Sequence, residues 1–379
     1  MLSEPSYLVA RMVAPAIVAH FDHHREKASA LELAVGIPPT LPLLEAMIDT
    51  AFWASLRQEE GHPPRISLAL LRPDQAAHPL ILGQRLRLTP YNLLKLAPAV
   101  EQPSTHLGVW HEGDELYVWG TATRLPALCV VVEVVEPGLL VVKHARGEAL
   151  GKFINVAILR GDQMQVVDED NISLGDCPAL RASLHGMPLL SQEGTSVNVL
   201  VELAAAMRQH RRGGLVLIVP PDSETWPASV VQPVRYPVQP AYAKITELLK
   251  SKDEGKADPR WQQSLLRAIG LVGGFTAVDG ATVLTQDYEL LAFGVKVTRA
   301  KGSIHVEKMI VTEPVVGSQA VTVHPSHHGG TRHLAAAQFV HDQRDAVALV
   351  ASQDGYFTLF AWSPELEMVH AHRIDVLLL

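Results

Sequence analysis

Cysteine is scarce: Cys129 and Cys177 are the only two in 379 residues, and they form neither a CxxC pair nor a multi-cysteine framework. That pattern excludes a disulfide scaffold and fits a reducing compartment, with both thiols expected as buried structural side chains. Long blocks of Lys or Arg are missing and the net charge is −8. No extended phosphate-tracking surface follows, so duplex DNA is not an expected partner. Long apolar runs are missing too. The longest, Leu125 to Val142, is broken by Pro126, Glu133, Glu136, Pro137 and Gly138 and falls short of the roughly 20 residues of a spanning helix. It reads as two buried strands around a Pro-Gly turn. Tyr7 to Phe21 is apolar, but Arg11 and Pro15 interrupt it, Asp22-His23-His24-Arg25 follow, and no small-residue cleavage pattern marks a signal peptide. The expectation is a soluble, cytoplasmic protein with no membrane partner. No internal repeat or low-complexity tract is present.

What is there is a chain with 47% hydrophobic residues, long enough for two domains with a core each. Pro42 to Leu56 carries Leu43, Leu44, Met47, Ile48, Ala51 and Phe52 at helical spacing. From Arg65 to Asp168, short Val/Ile/Leu/Trp runs between turn residues predict mostly sheet, with a hairpin folding Leu107–Trp110 onto Leu116–Trp119. The stretch Asp168 to Gln192 is rich in Asp, Gly, Ser and Pro and predicts a boundary near residue 186. Domains over 1–185 and 186–379 follow. In the second, Ser196 to His210 predicts a helix with basic Arg208, Arg211 and Arg212 at its end, stopped by Gly213-Gly214. Leu215 to Val219 predicts a strand closed by Pro220-Pro221; Ala241 to Lys250 and Trp261 to Ile269 predict helices. Strands are expected at Gly274 to Thr285, Leu290 to Val297, Ala346 to Ala351 and Phe357 to Trp362. The fold class is therefore α/β: an α+β N-terminal domain, then an α/β domain with a mixed central sheet.

Two motifs in the second domain carry chemistry: Val278-Asp279-Gly280-Ala281 at the start of a strand, and Gly329-Gly330-Thr331-Arg332-His333-Leu334-Ala335-Ala336 leading into a helix. Singly, the first reads as a turn between strands and the second as a helix cap with a surface charge. In this order they resemble the DGA and GTRHR signatures of diadenylate cyclase domains of the DisA type. The helix, Gly-Gly and strand of Val197 to Val219 and the AVALVASQDG run from Ala346 to Gly355 resemble flanking parts of the same domain, with Ser352 where the family has a nucleotide-contacting Ser. The resemblance implies a DAC-like fold and an enzyme that condenses two ATP into cyclic di-AMP and pyrophosphate. Joining a 3′-hydroxyl to an α-phosphorus needs phosphate charge neutralised and a carboxylate for a divalent ion.

By the resemblance, Asp279 holds Mg2+ or Mn2+, and Asp279, Arg332 and His333 act in catalysis. Gly280, Ala281, Val297, Gly330, Thr331, Arg332, His333 and Ser352 contact nucleotide, with Val297 near the base. It also implies one ATP per domain, hence a homodimer or higher homo-oligomer with cyclase domains face to face. Three departures stand against the family pattern: Leu334 in place of a second Arg, a longer separation of positions 279 and 332 filled by an inserted hairpin from Thr298 to Val323, and Gln353-Asp354 after the Ser. A catalytically silent nucleotide-binding sensor therefore stays open as the alternative.

Other clusters read as structure. His324, His327, His328 and His333 match no standard zinc spacing, and His20, His23 and His24 share a helix face around Asp22 as an exposed helix end. Trp110 and Trp119 are expected as cross-strand packing. Thr105 to Gly120 and Leu139 to Val156 resemble the sensor region called DACNV that precedes such cyclase domains. The resemblance implies that the N-terminal domain binds a ligand, whose identity the sequence leaves unknown, and regulates the cyclase.

Overall fold

The computed structural model describes residues 5–29, 35–101, 104–113, 115–145, 153–168, 198–251, 259–353 and 355–378. Two compact units result, one ending at Val167 and the other running from Asp168 to Leu378. The boundary expected near residue 186 lies outside the described residues, as do Cys177 and Asp354.

In the first unit, α1 (Leu8–Ser29) turns Ala10, Val13, Ala14, Ile17 and Phe21 inward at helical spacing. Beside it, α2 (Leu41–Ser55) buries Leu43, Leu44, Met47 and Ile48 as its periodicity predicts. The strands are β1 (Ile66–Leu70), β2 (Leu80–Arg87), then after α3 (Pro90–Leu96) β3 (His106–Glu112), β4 (Glu115–Ala122), β5 (Val130–Glu136), β6 (Leu139–Ala145), β7 (Phe153–Arg160) and β8 (Gln163–Val166). They form one sheet in the order β2-β4-β3-β1-β5-β6-β7-β8, antiparallel except for the β1/β3 pair. Alternation sorts the side chains. Leu68, Leu70, Val109, Val132 and Val142 meet the helices on one face, and Ala69, Leu71, Trp119, Cys129 and Val131 pack on the other. Both expected hairpins form, β3 with β4 and β5 with β6, the second turning at Gly138 with φ 73°. Trp119 lies over Gly108 and donates its indole N–H to the Leu71 carbonyl at 2.8 Å. Cys129 is fully buried, which pushes its thiol up to about 12.

The second unit begins with α4 (Val199–His210), whose N-cap Asn198 accepts the Leu200 and Val201 N–H groups at 2.9 and 3.2 Å. It stops at His210, two residues ahead of the glycines: Arg211 takes the left-handed conformation, and Gly214 already opens β9 (Gly214–Val219). Then come β10 (Tyr236–Tyr242), α5 (Lys244–Lys250), α6 (Pro259–Phe275), β11 (Ala281–Thr285), β12 (Leu290–Val295), β13 (Met309–Thr312), β14 (Val321–Val323), α7 (Thr331–Asp342), β15 (Val347–Ala351), β16 (Phe357–Ser363), β17 (Met368–Arg373) and α8 (Asp375–Leu378). The sheet order is β10-β12-β11-β9-β15-β16-β17-β13-β14, with parallel pairs at β9/β11 and β13/β17. This is the expected mixed sheet. Val216, Ile218, Leu349 and Leu359 face α4 and α6, while Leu217, Ala348, Val350 and Phe360 face α7.

The strand expected from Gly274 begins only at Ala281, because Leu265, Ala268, Ile269 and Val272 carry the helical face of α6 on to Phe275. The insertion does contain a hairpin, β13 with β14. It adds to the sheet beside β17, four strands away from β9.

Candidate functional site

Four chain segments meet at one end of the central strands. Parallel pairing of Leu215 with Ala281 brings the residues before β9 and before β11 side by side. Antiparallel pairing of Ala351 with Gly214 brings the end of β15 to the same place, and α7 starts there with Gly330 as its N-cap. Asp279, Gly280, Arg332 and Ser352, scattered in sequence, thus come to one end of the sheet.

Gly280 has φ 117°, and a Cβ there would lie 2.5 Å from the Gly294 carbonyl carbon. Gly294 has φ 63° and sits under the Tyr236 ring. The glycine of the first motif is therefore required by the close approach of β12's backbone, and a ligand need not be invoked for it. Asp279, next to it, projects into solvent with its side chain 88% exposed and pairs with the Lys296 ammonium at 2.6 Å. Lys296, then the more distant Arg332 and the Gly280 N–H, holds the carboxyl below its ordinary range. Lys296 carries no motif and was not among the expected residues; its place opposite Asp279 follows from the pairing of Ala281 with Val295.

Arg332 lies across the turn before β9. Its Nη1 is 2.8 Å from where a Cβ on Gly213 would sit, a spot shared with the Ala351 carbonyl at 2.9 Å. Gly213 has φ 64°, so position 213 needs glycine for both conformation and clearance. Thr331 is exposed in the first turn of α7, where the helix dipole favours an anion. Ser352 sits in the β15–β16 turn, its Oγ accepting the Tyr356 N–H at 3.0 Å. Ala281 is buried in β11.

His333 points the other way. It is 9% exposed, with its ring against Gly329, 5.9 Å from the rings of His328 and Phe360, and Nε2 3.5 Å from Thr358 Oγ1. Burial first, then His328, Arg373 and Arg332, pushes its pKa down to about 4. The imidazole is neutral at pH 7 and adds no positive charge to the Arg332 side. Leu334 is 40% exposed, so it is not a core residue.

A cleft of about 330 Å³ lies beside Asp279, walled by Val231, Pro233, Val234, Tyr236, Val295 and Lys296. Val297 does not line it; it bridges to Val230 and packs against the core on the α7 side of the sheet. Among the described residues no three His, Cys, Asp or Glu side chains converge as a metal cage. A single exposed carboxylate nonetheless suits Mg2+ or Mn2+ arriving on a triphosphate, because such ions bind through one or two carboxylates plus phosphate oxygens and keep several waters. The ion pair with Lys296 has to open for that. In the first unit, His20 and His24 of α1 bring their rings to 4.3 Å, tilted by 42°, and meet His144 of β6 at 5.5 and 5.8 Å, while His23 stays exposed. The buried His144 was invisible to local spacing.

No helix among the described residues is long and apolar enough to cross a membrane. Eleven chains of solved structures match; one, described as a hypothetical membrane spanning protein from Bacillus cereus, is 16% identical, with 51% of this chain and 71% of that chain covered and a TM-score of 0.27. No curated protein matches. Residues 35–123, which span α2, α3 and β1 to β4, match the family described as probable sensor domain DACNV.

Proposed function

We propose that the second unit is a diadenylate cyclase domain and that the first regulates it as a sensor. The observation that carries the reading is the joint placement of Asp279 and Arg332 at one end of the sheet, within electrostatic reach of each other, around glycines that leave room for backbone and guanidinium. In the reaction, the 3′-oxygen of one ATP bonds to the α-phosphorus of the other, the bond to the β-phosphate breaks, and pyrophosphate leaves while the hydroxyl proton passes to solvent. Repeating the step with the roles exchanged closes the ring. Bound Mg2+ or Mn2+ would neutralise phosphate charge, and Asp279 is the side chain that would hold it. Arg332 and the first turn of α7, with Gly330 and Thr331, bind the polyphosphate, Arg332 through a forked guanidinium and the turn through N–H groups. Lys296 can exchange Asp279 for phosphate. His333 acts by packing, setting the direction of the α7 entry rather than touching substrate.

One ATP per domain cannot present its own 3′-hydroxyl to its own α-phosphate for both linkages, so two copies meet about a two-fold axis. The test is incubation of the protein with ATP and Mg2+ or Mn2+, with chromatography for cyclic di-AMP and an assay for pyrophosphate. Two pyrophosphates for each cyclic di-AMP, one per bond formed, support the reading; ATP binding without either product leaves the silent sensor. The Lys296–Asp279 ion pair, which occupies the carboxylate a metal needs, is the observation that favours that second reading.

A further inference from the structure

His210, the last residue of α4, joins the two halves of this site. Its Nδ1 accepts the backbone N–H of Arg212 at 3.1 Å. A backbone N–H can only donate, so Nδ1 is bare and the ring proton resides on Nε2. Nε2 lies 3.0 Å from Oγ1 of Thr276, whose own hydroxyl donates to the Gly273 carbonyl at 2.6 Å. The Thr276 oxygen therefore accepts from Nε2–H. Each proton along Arg212, His210, Thr276 and Gly273 has one place to go.

The first of these bonds, from position 210 to 212, closes the turn in which Arg211 and Gly213 take φ 53° and 64°, as an Asn side chain does in an Asx turn. That turn is the floor under Arg332. The second bond reaches Thr276, which is 1% exposed and starts the segment that ends in Asp279. Burial, then Arg212 and Arg332, keeps the imidazole pKa below its ordinary value. A second ring proton would face the Arg212 N–H and break the turn's bond.

We propose that His210 is a positioning residue of the anion site: a neutral strut that fixes the distance between the seat of Arg332 and the Asp279 segment, so that one polyphosphate meets both. The ligand's identity rests on the nucleotide reading above; the strut rests on the hydrogen bonds alone.

Calorimetry of the full chain with ATP, tripolyphosphate and adenosine, for wild type, His210→Ala, Thr276→Val, the double variant and Thr276→Ser, tests it. Loss of one buried hydrogen bond corresponds to about tenfold in affinity. ATP and tripolyphosphate affinity should each fall by about that factor in His210→Ala and in Thr276→Val, with no further loss in the double variant. Thr276→Ser, which keeps the hydroxyl, should restore binding, and adenosine affinity should not move. Should His210→Ala fail to fold by circular dichroism, the Thr276 pair carries the same comparison. Wild-type affinities in the folded variants, additive losses, or an equal loss for adenosine would overturn the strut. Tripolyphosphate binding without ATP binding would remove the nucleotide reading and still test the strut; binding of neither by wild type would remove both.

Discussion

Acid should loosen the first unit through one histidine. His106 of β3 is 4% exposed and its Nδ1 lies 2.7 Å from Ser67 Oγ of β1. Burial, reinforced by the nearby Lys143 ammonium and only partly offset by Glu133, pushes its pKa down to about 4. The unfolded chain takes up this proton near pH 6.5 and the folded chain not until near 4. In that window the unfolded state binds more protons, so stability is full above about 6.5 and is lost as pH falls. Between pH 7 and 4.5 the loss from this group comes to about 2.5 kcal/mol, a large share of the 5–15 kcal/mol typical of a domain. Hydrogen exchange at the β1 and β3 amides in urea, at both pH values, reads this sheet apart from the second unit. His106→Gln, which does not titrate in this range, should flatten the difference by that amount. An unchanged acid dependence in a folded His106→Gln protein would refute the assignment.

In the second unit, Asp279→Asn should keep the fold, because the side chain is exposed, and lower cyclic di-AMP formation by about 10² to 10³, read by chromatography at matched circular dichroism. Gly280→Ala should cost about 2–5 kcal/mol, from a side chain at φ 117° and its overlap with Gly294, and a thermal scan against wild type measures it. Leu334 is exposed in the first turn of α7; if that turn binds polyphosphate as proposed, Leu334→Arg should raise turnover without loss of stability, as initial rates and melting together would show. If two copies complete the site, specific activity should fall on dilution below the dimer dissociation constant, and light scattering on the same samples locates that constant.

Periodicity carried most of the fold. Leu43 to Phe52, Leu200 to Met207 and the apolar runs beginning at Leu215 and Ala346 fall where their spacing predicts helix and strand, since a helix stripe or a strand buried on both faces leaves a local record. The strands it left out have a physical reason. β10 reads Tyr-Pro-Val-Gln-Pro-Ala-Tyr, and prolines are tolerated there only because it is an edge strand pairing with β12 alone. β17 contains His370 and His372, both buried and both bonded to Thr312 of β13, so polar residues occupy positions where an apolar pattern was sought. α6 outran its expected end because Gly273 and Gly274 lie within a helix whose preceding face is continuous.

The site divides in the same way. Asp279 and Arg332 were legible because each belongs to a short motif whose chemistry is local. Their meeting, and the residues that tune them, depend on strand register that no window of sequence contains. Lys296 reaches Asp279 only because Ala281 pairs with Val295; Gly213 lies under Arg332 only because β9 stands between β11 and β15. His333 shows the converse. Its place in the motif assigned it to the phosphates, but the helical turn from Arg332 to the next residue swings it by about 100°, enough to carry one side chain to the turn before β9 and the other into the core against Phe360. Adjacent residues of one motif therefore part, Arg332 reaching over Gly213 and His333 packing beneath α7.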